Sequence, residues 1–162
     1  MPNALIDAVM CSRIAAEDAQ AGFILDGYPR TRAQAVTLNT ALDTRERRLS
    51  AAILLEVSDD EVLRRLSGRR VCEACGAVYH TEFAPPRRDG RCDLDGARLE
   101  HRQDDLRETI ERRLEVFHTE TQPLVEFYEA QGILIRIAGE GTREEIQSEI
   151  QEAIAAPGRR GR

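Results

Sequence analysis

The chain has 162 residues, of which 41% are hydrophobic, 32% are charged and 4% are aromatic, and its formal net charge is −6. This length predicts one domain, or one domain with an inserted subdomain. The acidic balance argues against a nucleic-acid-binding protein, for which a basic face is the expected footprint. No run approaches the roughly 18 apolar residues of a membrane span and no signal peptide opens the chain, so we expect a cytosolic protein without a membrane partner.

The basic residues other than histidine number 23, and all of them are arginine. Chemistry that requires a lysine, such as the phosphate contact of a Walker A motif or a Schiff base, therefore cannot be supplied by these residues.

The elements predicted along the chain alternate between helices and strands. Apolar residues at helical spacing predict a first helix over residues 3–20. Two later helices start at capping-box patterns, Ser58 with Glu61 and Thr142 with Glu145. The run AAILLEV at 51–57 lacks alternation, which is typical of a strand buried on both faces. The other predicted elements are strands over 23–26 and 133–137, helices over 31–42, 58–68, 104–119 and 142–156, and a turn or helix from Pro123 to Gln131.

This order predicts an α/β fold with a parallel sheet and flanking helices. A cysteine-rich insertion without sustained periodicity interrupts it at residues 69–101, which we call the insertion. We expect core parts at 1–68 and 102–156 and a disordered tail at 157–162. Three strands make a thin parallel sheet and the chain opens with a helix, so we expect a fold that is incomplete at its N-terminus.

The segment FILDGYPRT, residues 23–31, has the composition of a phosphoryl-transfer site. The predicted strand brings Asp26 to the edge of the sheet, Gly27 permits a tight turn, and Pro29 fixes the direction of the chain toward Arg30. A carboxylate suits a hydrated Mg²⁺ ion, and a guanidinium suits phosphate oxygens.

Two knuckles within the insertion predict a structural zinc site. They share a two-residue spacing, and their ligands would be Cys72, Cys75, Cys92 and Asp95. His80 and His101 are rival fourth ligands, although neither preserves the knuckle spacing. Incidental thiols are the alternative, and a disulfide is disfavoured in a reducing compartment. Four protein ligands leave no open position for a catalytic water, so the metal would replace a hydrophobic core that the insertion is too short to build.

Several arginines lie at the ends of predicted elements. Any one of them would ordinarily be a solvated surface charge, but together they favour a shared anionic ligand such as a polyphosphate. These residues are Arg30, Arg65, Arg69, Arg102 and Arg113.

Two acidic residues, Asp104 and Asp105, follow the insertion. We predict that they complement the dipole at the start of the next helix. Pairing with arginines as the insertion moves is the alternative.

Three segments together closely resemble bacterial adenylate kinases: FILDGYPRT, GRRVCEACGAVYH at 68–80, and RQDDLRETIERRL at 102–114. The resemblance implies a P-loop-kinase-like fold and reversible transfer of a phosphoryl group, in which ATP and AMP give two ADP with Mg²⁺. It also implies a monomer, and it identifies the insertion as a zinc-bearing LID that closes over ATP.

The resemblance also implies roles for individual residues. Asp26 would lie near Mg²⁺ and, with the five arginines, would form the catalytic set. The AMP contacts would be Gly27, Tyr28, Pro29, Arg30, Arg102, Arg113 and Gln34, with Gln34 reading the adenine. The ATP contacts would be Arg65, Arg69, Val78, Tyr79 and Gly141.

The family pattern also contains a glycine-rich P-loop with an essential lysine, and neither occurs in this sequence. One interpretation is an adenylate kinase whose N-terminal part has been lost, so that this chain alone is poorly active. The alternative is a non-catalytic, zinc-stabilised nucleotide-binding module. A zinc-ribbon nucleic-acid adaptor is a third class, which the acidic charge disfavours.

Overall fold

The computed structural model describes residues 3–155, so the predicted tail at 157–162 lies outside the described residues. The chain divides into two compact units. The first unit comprises Met1–Glu56 with Phe117–Arg162, and the second comprises Val57–Val116. No helix among the described residues has both the length and the apolar character needed to cross a membrane.

Helices and strands alternate through much of the described chain. The helices are α1 (Asn3–Ala15), α2 (Arg32–Asp43), α3 (Asp59–Ser67), α4 (Arg107–Val116), α5 (Pro123–Glu129) and α6 (Arg143–Ala155). The strands are β1 (Ala52–Glu56), β2 (Arg69–Cys72), β3 (Val78–His80), β4 (Leu99–Glu100) and β5 (Leu134–Ala138).

A parallel pair of strands forms the sheet of the first unit. Strand β1 pairs with β5 in a register that aligns Ala52 with Leu134. The predicted parallel sheet is therefore confirmed. The prediction that β1 is buried on both faces is wrong within the described residues, because Ile53 and Leu55 are 38% and 46% exposed.

The prediction of a strand over residues 23–26 is wrong. This segment has the alternation of a strand, since Phe23 and Leu25 pack against the core of the first unit while Ile24 is 91% exposed. It has no regular secondary structure, however, because no strand within residues 3–155 pairs with it. A strand is defined by hydrogen bonds to a neighbour, so alternation alone does not create one.

Apolar contacts stabilise the first unit in two clusters. Ile14, Leu38 and Leu42 pack with Tyr28 in the cluster that joins α1 to α2. A second cluster contains Ala35, Leu124 and Tyr128. Helix α2 starts as predicted, because the Thr31 hydroxyl accepts a hydrogen bond from the Gln34 amide at 3.3 Å.

Two predicted helices are shorter than expected. The first ends at Ala15 and is followed by a 3₁₀ turn at Glu17–Ala19. The helix predicted over 104–119 begins instead with a 3₁₀ turn at Gln103–Asp105, continues as α4 and passes into a π-helical turn at Phe117–Thr121. Pro123 then occupies the first turn of α5, where a missing amide proton is harmless.

The second unit contains α3, α4 and a three-stranded antiparallel sheet in the order β3–β2–β4. Helices α3 and α4 pack against each other. The buried residues of the insertion are Cys72, Cys92 and Leu99, so two of the three are predicted metal ligands.

Candidate functional site

Two knuckles of the same backbone geometry lie in the insertion. In the first, the Gly76 amide donates to the Cys72 carbonyl at 2.8 Å, and the Cys72 amide donates to the Ala77 carbonyl at 2.9 Å. In the second, the Gly96 amide donates to the Cys92 carbonyl at 2.9 Å, and the Cys92 amide donates to the Ala97 carbonyl at 2.8 Å. Both glycines have a positive φ, +75° and +73°, which a residue with a side chain rarely adopts.

This equivalence places Asp95 where the first knuckle has Cys75. The four side chains Cys72, Cys75, Cys92 and Asp95 offer ligand atoms that all lie within 4.8 Å of one another, and we call them the Cys₃Asp cluster. The Cys75 and Cys92 sulfurs are 3.5 Å apart, and the Cys72 sulfur lies 3.3 Å from Asp95 Oδ2. A tetrahedral zinc ion requires about 3.8 Å between sulfurs and about 3.5 Å between sulfur and oxygen, so the residues fit this metal.

Hydrogen bonds around the cluster favour the deprotonated form of two of its four ligands, Asp95 and Cys92. The Ala97 amide donates to Asp95 Oδ1 at 2.9 Å, and this bond is the largest contribution that lowers the pKa of Asp95 to about 2. A hydrogen bond with the Tyr79 hydroxyl lowers the pKa of the Cys92 thiol. Metal ligands must be deprotonated, so both effects suit a bound cation.

The rival ligands are engaged elsewhere or lie outside the cluster. His80 Nδ1 accepts hydrogen bonds from the Glu82 and Phe83 amides, each at 3.0 Å, and His80 Nε2 lies 3.3 Å from the Arg64 carbonyl. His101 Nε2 is buried without a hydrogen-bond partner among the described residues, but it is not among the four clustered groups.

A buried ion pair orients Arg69. Its Nε and Nη2 atoms donate to the two carboxylate oxygens of Asp105, at 2.7 and 2.5 Å. The Asp105 side chain is fully buried, which by itself raises the pKa of its carboxyl group, but the pair with Arg69 outweighs burial and holds that pKa below its usual range. The outer edge of the guanidinium, with three of its five N–H donors, is not used by this pair.

Two other predicted arginines meet at Asp104. Arg102 Nη2 donates to the Asp104 carboxylate at 3.2 Å, and Arg113 Nη1 donates to the Asp104 carbonyl at 3.3 Å. Arg65 lies on α3, where its Nε donates to Glu61 at 2.6 Å. The structure thus brings Arg102 and Arg113 together within the second unit.

The prediction that the acidic pair serves mainly the helix dipole is wrong for Asp105. It lies in the 3₁₀ turn before α4 and chiefly binds Arg69, which was the alternative interpretation. The signal in the sequence was an Asp-Asp pair among arginines, but only the fold shows which carboxylate is buried.

In the first unit, Gly27 binds the side chain of Arg30 and Gln34 binds its backbone amide. The Arg30 Nε atom donates to the Gly27 carbonyl, and the Arg30 amide donates to Gln34 Oε1, each at 2.8 Å. Gly27 has a φ of +72°, which favours glycine, and a Cβ atom there would lie 3.0 Å from Arg30 Nη2, so a side chain at this position would displace the guanidinium. The Thr121 hydroxyl donates to the Arg30 carbonyl at 3.0 Å.

The other predicted residues of the first unit differ in their exposure. Tyr28 is buried in the core and its hydroxyl donates to Asp7 at 2.9 Å, so it offers a ligand its backbone and not its ring. Asp26 is exposed, and Pro29 follows Tyr28 through a cis peptide bond. Gly141 precedes α6, whose capping box is confirmed, since Thr142 and Glu145 bond reciprocally at 2.8 and 3.3 Å.

The two predicted ATP contacts on β3, Val78 and Tyr79, also differ in exposure. Val78 is 62% exposed, whereas Tyr79 is half-buried against the core of the insertion. An exposed apolar side chain at Val78 is available to a ligand.

Comparison with known proteins places this chain in a family. The family model for adenylate kinase matches residues 1–133. The chain is 40% identical to an adenylate kinase of Caldicellulosiruptor bescii over 98% of this chain and 72% of the relative. It is 45% identical to one of Acidothermus cellulolyticus, over 96% of this chain and 70% of the relative, and 39% identical to one of Staphylococcus aureus, over 95% and 72%. The chain belongs to the adenylate kinase family.

Proposed function

We propose that this protein is an adenylate kinase that transfers a phosphoryl group reversibly between ATP and AMP to give two ADP. Family membership supports the reaction class. The observation that carries the substrate assignment is the bracing of Arg30 between Gly27 and Gln34. The Gly27 carbonyl orients the Arg30 guanidinium and Gln34 fixes the Arg30 backbone, so less entropy is lost when a phosphate binds.

The orientation of Gln34 favours AMP. Its Oε1 atom already accepts from the Arg30 amide, and hydrogen bonds among the described residues do not use its Nε2 donor. A free N–H donor suits a base whose ring nitrogen accepts, as N1 of adenine does. It opposes guanine, which carries a proton on N1. Gln34 therefore selects AMP over GMP.

The arginines of the second unit serve the transferring phosphates. Arg69 uses one edge of its guanidinium to bind Asp105, which keeps the side chain oriented. Its outer edge is left to bind a phosphate. Arg65, Arg102 and Arg113 add positive charge where equatorial oxygens become more negative in the transition state. Val78 and Tyr79 would lie near the ATP base and ribose, and Gly141 would present its backbone to the adenine.

Two metals belong to this proposal. Zinc in the Cys₃Asp cluster holds the insertion, residues 69–101, as the lid of the enzyme, with residues 1–68 and 102–156 as its core parts. Mg²⁺ bound with ATP would neutralise phosphate charge, and Asp26 offers a carboxylate for its hydration shell. We further propose that the protein acts in the cytoplasm as a monomer.

AMP binding by the full chain tests the substrate assignment. Arg30→Ala should weaken AMP binding about 10-fold or more in titration calorimetry, because a charge-assisted hydrogen bond is lost. Arg45→Ala, which removes an exposed guanidinium at the end of α2, is the matched control and should change nothing. Gln34→Leu should reduce the preference for AMP over GMP. Equal AMP binding by wild type and Arg30→Ala would contradict the assignment.

A coupled assay of ADP formation from ATP and AMP tests the reaction. We expect slow turnover from these 162 residues, since they contain no lysine to hold the β- and γ-phosphates. Fast turnover would contradict that expectation and leave the kinase assignment standing. Specific AMP binding with no ADP formation at all would instead support a non-catalytic nucleotide-binding module.

A further inference from the structure

Tyr79 connects strand β3 to the second knuckle of the Cys₃Asp cluster. Its hydroxyl oxygen lies 3.5 Å from the Cys92 sulfur and 2.8 Å from the Asp93 amide nitrogen. Its ring packs against the buried cluster of the insertion. Among the hydrogen bonds of residues 3–155, that of Tyr79 is the only one that joins a side chain outside the cluster to a ligand atom.

The direction of this hydrogen bond follows from its partners. The Asp93 amide can only donate, so the Tyr79 oxygen accepts there and keeps its own proton for another partner. A cysteine bound to a metal is a thiolate and has no proton to give. The Tyr79 hydroxyl must therefore donate to the Cys92 sulfur in the metal-bound state.

We infer that Tyr79 is a positioning residue for the metal, which fixes the Cys92 thiolate and stabilises its negative charge. The Leu94 amide also donates to the same sulfur, at 3.4 Å, so Cys92 receives two donors. Hydrogen bonds to a ligand orient it and tune how strongly it binds. This inference rests on the zinc site of the proposed function, and it gives Tyr79 a role besides the ATP contact that the family resemblance implies.

Tyr79→Phe separates these two roles, because it removes the hydroxyl and keeps the ring. The variant should still bind one zinc ion. A chromogenic chelator should, however, remove the metal at a concentration about 10-fold lower than the concentration needed for the wild type. Tyr128→Phe is the matched control. It removes a buried hydroxyl that has no hydrogen-bond partner among the described residues, and it should retain zinc as wild type does.

Cobalt substitution gives a spectrum that would not change if the role of Tyr79 were purely structural. Loss of the donor raises the energy of the sulfur electrons, so the sulfur-to-cobalt charge-transfer band of Tyr79→Phe should shift to longer wavelength. Circular dichroism of the zinc-loaded variant verifies that it is folded. A wild-type chelator curve together with an unshifted band would overturn the inference. Failure of the wild-type protein to bind one zinc ion would instead overturn the metal site itself, and the inference with it.

Discussion

The core of the first unit contains Ile14, Leu38 and Leu42, whereas the buried residues of the insertion are Cys72, Cys92 and Leu99. Apolar side chains in the first unit are excluded from water by one another. The insertion has too few of them, and two of its three buried residues, Cys72 and Cys92, belong to the Cys₃Asp cluster. A segment of about 30 residues buries too little surface to fold alone, so in the proposed function metal binding would supply the missing free energy.

This difference predicts that the two units respond to different substitutions. Cys92→Ala should have the largest effect. The variant should lose the one bound zinc ion, and the amides of residues 69–101 should exchange hydrogen rapidly. Elemental analysis and hydrogen-exchange mass spectrometry measure both. Cys11→Ala, outside the cluster, should retain the metal. Full zinc retention by Cys92→Ala would refute the Cys₃Asp assignment.

Asp105→Asn tests whether the second unit also depends on its buried ion pair. The change leaves the Arg69 guanidinium without a counter-charge, which should destabilise helices α3 and α4 by about 3 kcal/mol. Asp104→Asn is the control, since its partner is exposed and such pairs contribute about 1 kcal/mol or less. Hydrogen exchange of α4 reports the difference, and equal effects of the two variants would mean that burial is unimportant here.

The same pair predicts a pH dependence. The pKa of Asp105 is lowered on folding, so its contribution to stability is present above its unfolded pKa of about 3.9 and is lost as the pH falls through the folded value. The difference in unfolding free energy between wild type and Asp105→Asn should be constant above about pH 5 and shrink in stronger acid. A difference that grows on acidification would contradict this sign.

Leu38→Ala tests the apolar side of the comparison. It should destabilise the first unit by about 2–5 kcal/mol, because it opens a cavity at a buried site. Zinc content should be unchanged. Val36→Ala removes an exposed side chain from the same helix and should cost about 0.5 kcal/mol or less. Loss of zinc from Leu38→Ala would show that the two units are not energetically separate.

The smallest effect is expected at the start of α6. Thr142→Ala removes a reciprocal capping box and should cost about 1 kcal/mol, measured by hydrogen exchange of α6. Ser148→Ala lies in the middle of the same helix and is the control. A larger loss from Ser148→Ala would mean that the cap contributes little.

Short-range patterns in the sequence determined several features of this protein. The knuckle at Cys72 and its counterpart at Cys92 follow from spacing. The capping box at Thr142 follows from its interaction with Glu145, three positions away, whereas the one predicted at Ser58 does not form its side-chain cap hydrogen bond. Family membership followed from three motifs in order. These features are readable because the groups that interact are close together along the chain.

Only the tertiary structure decided the features that depend on distant partners. Residues 23–26 have the alternation of a strand but no paired neighbour among the described residues. Asp105 was assigned to a helix dipole and is instead buried against Arg69, 36 residues away. The Tyr79 hydroxyl meets Cys92 across 13 residues. Composition does not specify which distant groups the fold brings together, because that depends on the packing of the whole unit.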